Sequence, residues 1–181
     1  METRYTRNRI YLTEEEQKVI KECPILLAGC GIGSVIAECA LRMGFEKLTI
    51  VDGDLVEESN LNRQNYTEHD VFIKKAEAIK RRLLSINQDA QIEVHDCYIE
   101  QANIFEIIRG HEIAINALDF SSDIPLVFDR MCQQENVHIL HPYNLGWGGL
   151  VTVIAPNGIS LSTLQKPGDE FNELNFVEYA S

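Results

Sequence analysis

The sequence is short of positive charge, of paired cysteines and of long apolar runs. It carries 16 Lys and Arg against 28 Asp and Glu, a net charge of −12. That balance argues against general affinity for nucleic acid or anionic membranes, both of which need a basic surface. No apolar run approaches the roughly 20 residues of a membrane span. The first residues, Met1 to Arg7, are polar and lack the apolar segment of a secretion signal. The five cysteines, Cys23, Cys30, Cys39, Cys97 and Cys132, are odd in number and never spaced C-x-x-C. Reduced thiols and a cytoplasmic location are therefore expected. The histidines His69, His95, His111, His138 and His141 show no metal spacing, and His138 and His141, flanking a strand end, read as structural. Internal repeats and low-complexity stretches are missing as well.

What is present suits one domain of 181 residues with 45% hydrophobic content. Thr13 reads as the N-cap of an acidic-started helix running to about Glu22. Apolar runs predict strands at 25–28, 48–51, 91–94, 113–118, 137–140 and 150–155. Helical patterns cover 34–43, 76–86, 104–109 and 126–135. This alternation predicts an α/β, Rossmann-like fold with a mainly parallel sheet and helices on both faces. Three segments follow: an N-terminal arm and helix over 1–23, a nucleotide-binding region over 24–164 and a tail over 165–181. The tail looks unfinished, so the chain reads as short or truncated.

Chemistry concentrates between Pro24 and Gln64. A strand meets a glycine turn at Gly29, Gly31 and Gly33, a helix follows, and a second strand ends in Asp52. Such turns let backbone N–H groups face a phosphate, and a strand-end carboxylate can accept ribose hydroxyls. The bland readings are a packing turn and a solvent-exposed cap. Asp54 is followed by the polar run Ser59-Asn60-Leu61-Asn62-Arg63-Gln64, and Lys75 opens a later helix. Arg63 offers a fork and Lys75 a point charge to phosphate oxygens, unless both are ordinary surface cations. Those residues turn the reading from hydride transfer toward phosphate chemistry. Asp119, at a strand end, suits Mg²⁺, which takes one or two carboxylates with phosphates and water; alternatively it caps the next helix.

Taken together, these elements resemble the ThiF/MoeB/HesA family, relatives of the ubiquitin-activating enzymes. The resemblance spans residues 4 to 155: Arg4-Tyr5-Thr6-Arg7-Asn8, the glycine turn, Val51-Asp52-Gly53-Asp54, Ser59 to Gln64, Lys74-Lys75-Ala76-Glu77, Ile86-Asn87 and Asn116-Ala117-Leu118-Asp119. It implies ATP-dependent adenylation of a C-terminal carboxylate on a small ubiquitin-like or sulfur-carrier protein ending in Gly-Gly. It further implies that Asp52 holds the ribose, that Asn60, Arg63 and Lys75 bind phosphates, and that Asp119 holds Mg²⁺. By the same resemblance Arg7 reaches the active site of the partner subunit in a homodimer.

Departures accompany the likeness. The glycine turn is one residue shorter than the family's G-x-G-G-x-G, and Phe120 follows Asp119 where Asn is frequent. The paired C-x-x-C zinc motifs are missing, so no zinc is expected. No cysteine follows Cys132 to serve as a late catalytic thiol. A non-catalytic nucleotide-binding or dimerisation module of the same family is the alternative. An NAD-dependent oxidoreductase would account for Gly31 and Asp52 but leave Arg63 and Lys75 without a role.

Overall fold

The computed structural model describes residues 4–144 and 146–163; the tail over 165–181 lies outside them. Three of the predicted strands sit side by side at the centre: β1 (Pro24–Ala28), β2 (Lys47–Val51) and β4 (Ile113–Asn116). With β3 (Gln91–His95), β5 (His138–Asn144) and β6 (Gly149–Ile154) they form one six-stranded sheet, ordered β3-β2-β1-β4-β5-β6. Every pairing is parallel except β5 with β6. The helices are α1 (Glu14–Glu22), α2 (Gly33–Met43), α3 (Lys75–Ile86), α4 (Ile104–Ile108) and α5 (Ile124–Gln134). None among the described residues is long and apolar enough to cross a membrane.

Strand alternation sorts the core into two layers. Ile25, Leu27, Leu48 and Ile50 face Ala37 and Leu41 of α2 and Ile79 and Leu83 of α3. Leu26, Ala28, Val51 and Ala114 face the other way, onto Ile104 and Ile108 of α4 and Phe128 and Cys132 of α5. Helices therefore cover both faces, as the near-continuous apolar strands require. Thr13 caps α1 reciprocally: its Oγ1 accepts from the Glu16 amide, and Glu16 Oε2 accepts from the Thr13 amide.

Two boundaries depart from the sequence pattern. Strand β4 stops at Asn116 rather than at Leu118, because the Asn116 side chain accepts from the Leu118 amide at 3.4 Å and turns the chain. Strand β5 runs on through Pro142 to Asn144. Its pairing with β4 ends at Leu140, so the missing proline N–H costs no bond on that side.

The register sets up the site. Ala28 lies beside Val51 and Asn116, and Val51 beside His95. The next residues, Gly29, Asp52 and Ala117, thus leave the sheet at one level. Helix α2 after β1 and helix α5 after β4 lie on opposite faces, which opens a crevice between those two strands at their carboxyl ends.

Glu38 of α2 ties this frame together. It accepts from Asn65 Nδ2 at 2.8 Å, from Arg42 Nε at 2.9 Å and from Arg82 Nε of α3. Burial raises its carboxyl pKa, but these donors win and bring it down to about 2. A depressed carboxylate stabilises the fold above its unfolded pKa and loses that contribution as pH falls through the folded value. Glu38→Gln is expected to lower stability by about 1–2 kcal/mol at pH 7. In urea titrations the gap from the parent protein should narrow as pH drops from 4.5 toward 2; a gap independent of pH contradicts the assignment.

Candidate functional site

The crevice holds a cleft of about 570 Å³ at the carboxyl ends of the strands. Gly29, Gly31, Asp52, Asp54, Arg63, Gln64, Lys75 and Asp119 all line it. The predicted carboxylates and cations are therefore brought into one hollow.

The glycine turn forms its floor. Gly29 has φ +91°, and a β-carbon there would lie 2.5 Å from the Ala117 carbonyl oxygen. Its amide donates to Val51 at 2.9 Å, while Ala117 donates to Ala28 at 2.8 Å. Gly29 is thus a close-packing glycine. Gly31 differs: an added β-carbon would meet only Gln64 Nε2, at 3.6 Å. Gly33 is buried in the first turn of α2 and does not line the cleft.

Asp52 braces this floor. Its Oδ2 accepts from the Cys30 amide at 2.6 Å and its Oδ1 from the Asp54 amide at 2.8 Å. Burial pushes its pKa up despite those bonds. Each oxygen retains a lone pair for a ligand hydroxyl. Cys30 is buried, and burial followed by the Asp52 charge drives its thiol pKa well up, which leaves it unreactive.

Lys75, only 8% exposed, supplies the buried cation. Its Nζ lies 2.8 Å from Asp54 Oδ2, and its amide donates to the Asp54 carbonyl. Burial works against the ammonium, but the hydrogen bond to Asp54 and the Asp52 and Asp54 charges raise its pKa on balance. Asp54 is lowered: burial opposes ionisation, and bonds from Lys75 and Tyr98 outweigh it. Tyr98 donates to Asp54 Oδ1 at 2.9 Å, and its ring crosses Gly53.

The polar run behaves as a scaffold for two side chains. Asn60 is buried, does not line the cleft, and accepts from the Glu57 amide at 3.0 Å. Its carbonyl takes the amides of Arg63 and Gln64. The structure thus gives the Asn60 oxygens a loop-forming place. Arg63 is exposed on the cleft, held by the Ser59 carbonyl at 2.7 Å. Gln64 Oε1 is buried without a protein partner, an acceptor open to a ligand donor.

Sequence reasoning missed the staples of this loop. Tyr66 donates to the Cys30 carbonyl at 2.8 Å, and Ser34 Oγ donates to Gly31 while accepting from the Asn65 amide. Ser34, Asn65 and Tyr66 have no chemistry of their own to advertise; only their place beside the glycine turn and the polar run marked them. Asp119 is exposed, in the loop after β4. Arg7 lies outside its own chain's cleft, in a 3-10 turn over Thr6–Ile10. Asn8 ties that turn to Met43 at the far end of α2, and eleven helical residues put it about 16 Å from the glycine turn.

Comparison with known proteins gives a consistent picture. The ThiF family model matches residues 5–175. The sulfur carrier protein ThiS adenylyltransferase of Bacillus subtilis is 35% identical over 162 residues, 86% of this chain and 48% of that protein. A crystal structure of E. coli tRNA N6-threonylcarbamoyladenosine dehydratase, TcdA, with ATP superposes with a TM-score of 0.72 at 26% identity, over 76% of this chain and 58% of that one. E. coli MccB with ATP reaches 0.77 at 22% identity, over 87% and 50%. The chain spans about half the length of the curated relatives it matches.

The first two glycines of the turn should separate in mutagenesis. Gly29→Ala forces a β-carbon into the Ala117 carbonyl and is expected to cost at least about 2 kcal/mol in chemical denaturation. Gly31→Ala should stay within about 0.5 kcal/mol of the parent yet weaken nucleotide binding about tenfold by calorimetry. Equal stability losses for both would make Gly31 a packing glycine as well.

Proposed function

The chain belongs to the ThiF family, and from that premise we propose that it is an ATP-dependent adenylyltransferase acting on the C-terminal carboxylate of a small ubiquitin-like or sulfur-carrier protein. The observation that carries this reading is the shared cleft, in which a glycine turn, two cations and three carboxylates converge in a molecule of net charge −12. The B. subtilis relative, an adenylyltransferase of a sulfur carrier protein, supports the choice of substrate.

In the proposed reaction a carboxylate oxygen of the carrier attacks the α-phosphorus of ATP. The bond to the bridging oxygen breaks, pyrophosphate leaves with the electron pair, and an acyl-adenylate remains. Little covalent work falls to the protein, so alignment and charge stabilisation dominate. Gly31 leaves room for the phosphates beside the turn, Asp52 offers lone pairs to the ribose, and Lys75 and Arg63 offset charge that builds on the phosphorus. Gln64 Oε1 gives a further acceptor. The Asp54 carboxylate keeps Lys75 ionised and aimed along the cleft wall.

Asp119 is the residue that would hold Mg²⁺. It is an exposed carboxylate on the cleft, and Mg²⁺ takes one or two carboxylates with its other ligands from phosphate and water. The ion would neutralise phosphate oxygens. Arg7 belongs to the proposal through a second copy of the chain, since it lies far from its own cleft.

ATP–pyrophosphate exchange tests the reading, with a carrier protein ending in Gly-Gly as acceptor. Exchange should require both carrier and ATP, and Asp119→Ala should reduce it by about 10²–10³ while leaving the circular dichroism and melting midpoint unchanged. Full exchange in that variant removes Asp119 from the chemistry, and tight NAD binding without ATP binding reverses the assignment. Sedimentation velocity should report a dimer; a strict monomer leaves Arg7 without a site to reach.

A further inference from the structure

Behind the cleft wall lies a polar group that the proposed chemistry does not use. Asp129 of α5 and His141 of β5 are each 1% exposed, and Asn116, at the end of β4, is fully buried. Asn116 Nδ2 donates to Asp129 Oδ1 at 2.7 Å, and His141 Nδ1 lies 3.2 Å from Asp129 Oδ2. Both carboxylate oxygens are therefore committed, one to a residue of β4 and one to a residue of β5.

Each of those residues leads to the loop that carries Asp119. On the N-terminal side, Asn116 Oδ1 accepts from the Leu118 amide at 3.4 Å. On the C-terminal side, the Phe120 ring stacks on His141, centroids 5.3 Å apart and planes 9° from parallel. Tyr143 stacks on the same imidazole at 4.8 Å and 10°. Asp119 itself makes no hydrogen bond or ion pair with the described residues. Its position is therefore set by its two neighbours, and one carboxylate reaches both: through Asn116, which also donates to the Pro125 carbonyl at 2.9 Å, and through His141, which shares the Phe120 ring with Tyr143 at 6.2 Å. The imidazole has its second nitrogen, Nε2, buried without a protein partner. That is a cost which a purely apolar residue at 141 would avoid.

From this geometry we infer that Asp129 is a positioning residue, holding Asp119 at the cleft through Asn116 on one side and the His141–Phe120 stack on the other. The inference rests on the adenylation reading only for what Asp119 does, not for how it is held. Phe120 then has a use at the place where Asn is frequent in the family: its ring rests on the His141 imidazole.

Hydrogen–deuterium exchange of the free protein tests the holding directly. In Phe120→Leu, uptake over residues 117–122 is expected to accelerate at least tenfold, with β1 and α5 unchanged. Phe120→Tyr, which keeps the ring, should retain the parent's uptake. Asp129→Asn should loosen the same segment, and parent-like uptake in that variant overturns the inference; if it does not fold, His141→Phe, which keeps a ring against Phe120 but cuts it from Asp129, should loosen the segment in its place. Uptake in Phe120→Leu equal to the parent's, or raised across the whole sheet, overturns the inference.

The kinetic arm asks for a split. Phe120→Leu should lower kcat for pyrophosphate exchange at least tenfold while the KM for ATP stays within twofold. A raised KM with unchanged kcat would assign Phe120 to nucleotide binding and overturn the positioning role. If the parent protein shows no exchange with any carrier, the adenylation reading falls while the uptake experiment still decides whether Asp129 holds the loop.

Discussion

Gly29 backs onto the carbonyl of Ala117 with no space between them for a side chain. This contact exists because β1, β2 and β4 end in register, so that the chain leaves all three strands at one height. From there the cleft is built by short links. Asp52 reaches across from β2 to take the Cys30 amide, Tyr66 takes the Cys30 carbonyl, and Ser34 joins the turn to Asn65. The polar run that presents Arg63 and Gln64 to the hollow is tied to this floor through Asn65 and Tyr66. Local backbone fit thus precedes the electrostatics, in keeping with how glycine is used where two chains approach.

The electrostatics are then a matter of keeping charge where it can be used. A lysine as buried as Lys75 would tend to lose its proton, but Asp54 accepts from it and the nearby Asp52 charge adds to the effect. In a strongly acidic protein this leaves a fixed cation with carboxylates on one side and an open cleft on the other. On the proposed reading an incoming triphosphate would be attracted by Lys75 and Arg63 and opposed by Asp52 and Asp54. The mixture suits a site that binds a polyanion and releases pyrophosphate, since an all-cationic pocket would retain its product.

Much of this was legible from residue order. The alternation of apolar runs and helical patterns led to the right elements because a parallel sheet buried on both faces leaves little freedom in composition. That Asp52, Asp54, Lys75, Arg63 and Asp119 would share one hollow was legible because strand ends, helix starts and the loops between them in such a sheet meet at one rim. The loop-shaping part of Asn60 was not legible: in a polar run its side chain reads as a ligand, and the bonds its carbonyl and amide oxygens accept within the loop leave no mark in the pattern. The Asn116–Asp129–His141 group was not legible either. Its members come from three elements, and nothing in the spacing of an Asn, an Asp and a His shows that they share a buried bond. Strand β4 stopped short for the same reason, since the side chain that ends it works through a contact local in space and silent in pattern.

The most direct measurement is a crystal structure of the protein with a non-hydrolysable ATP analogue. The account predicts ribose density at Asp52, a triphosphate running past Gly31 between Lys75 and Arg63, and a divalent ion at Asp119. A nucleotide bound away from the glycine turn, or one whose phosphates avoid both Lys75 and Arg63, would contradict it.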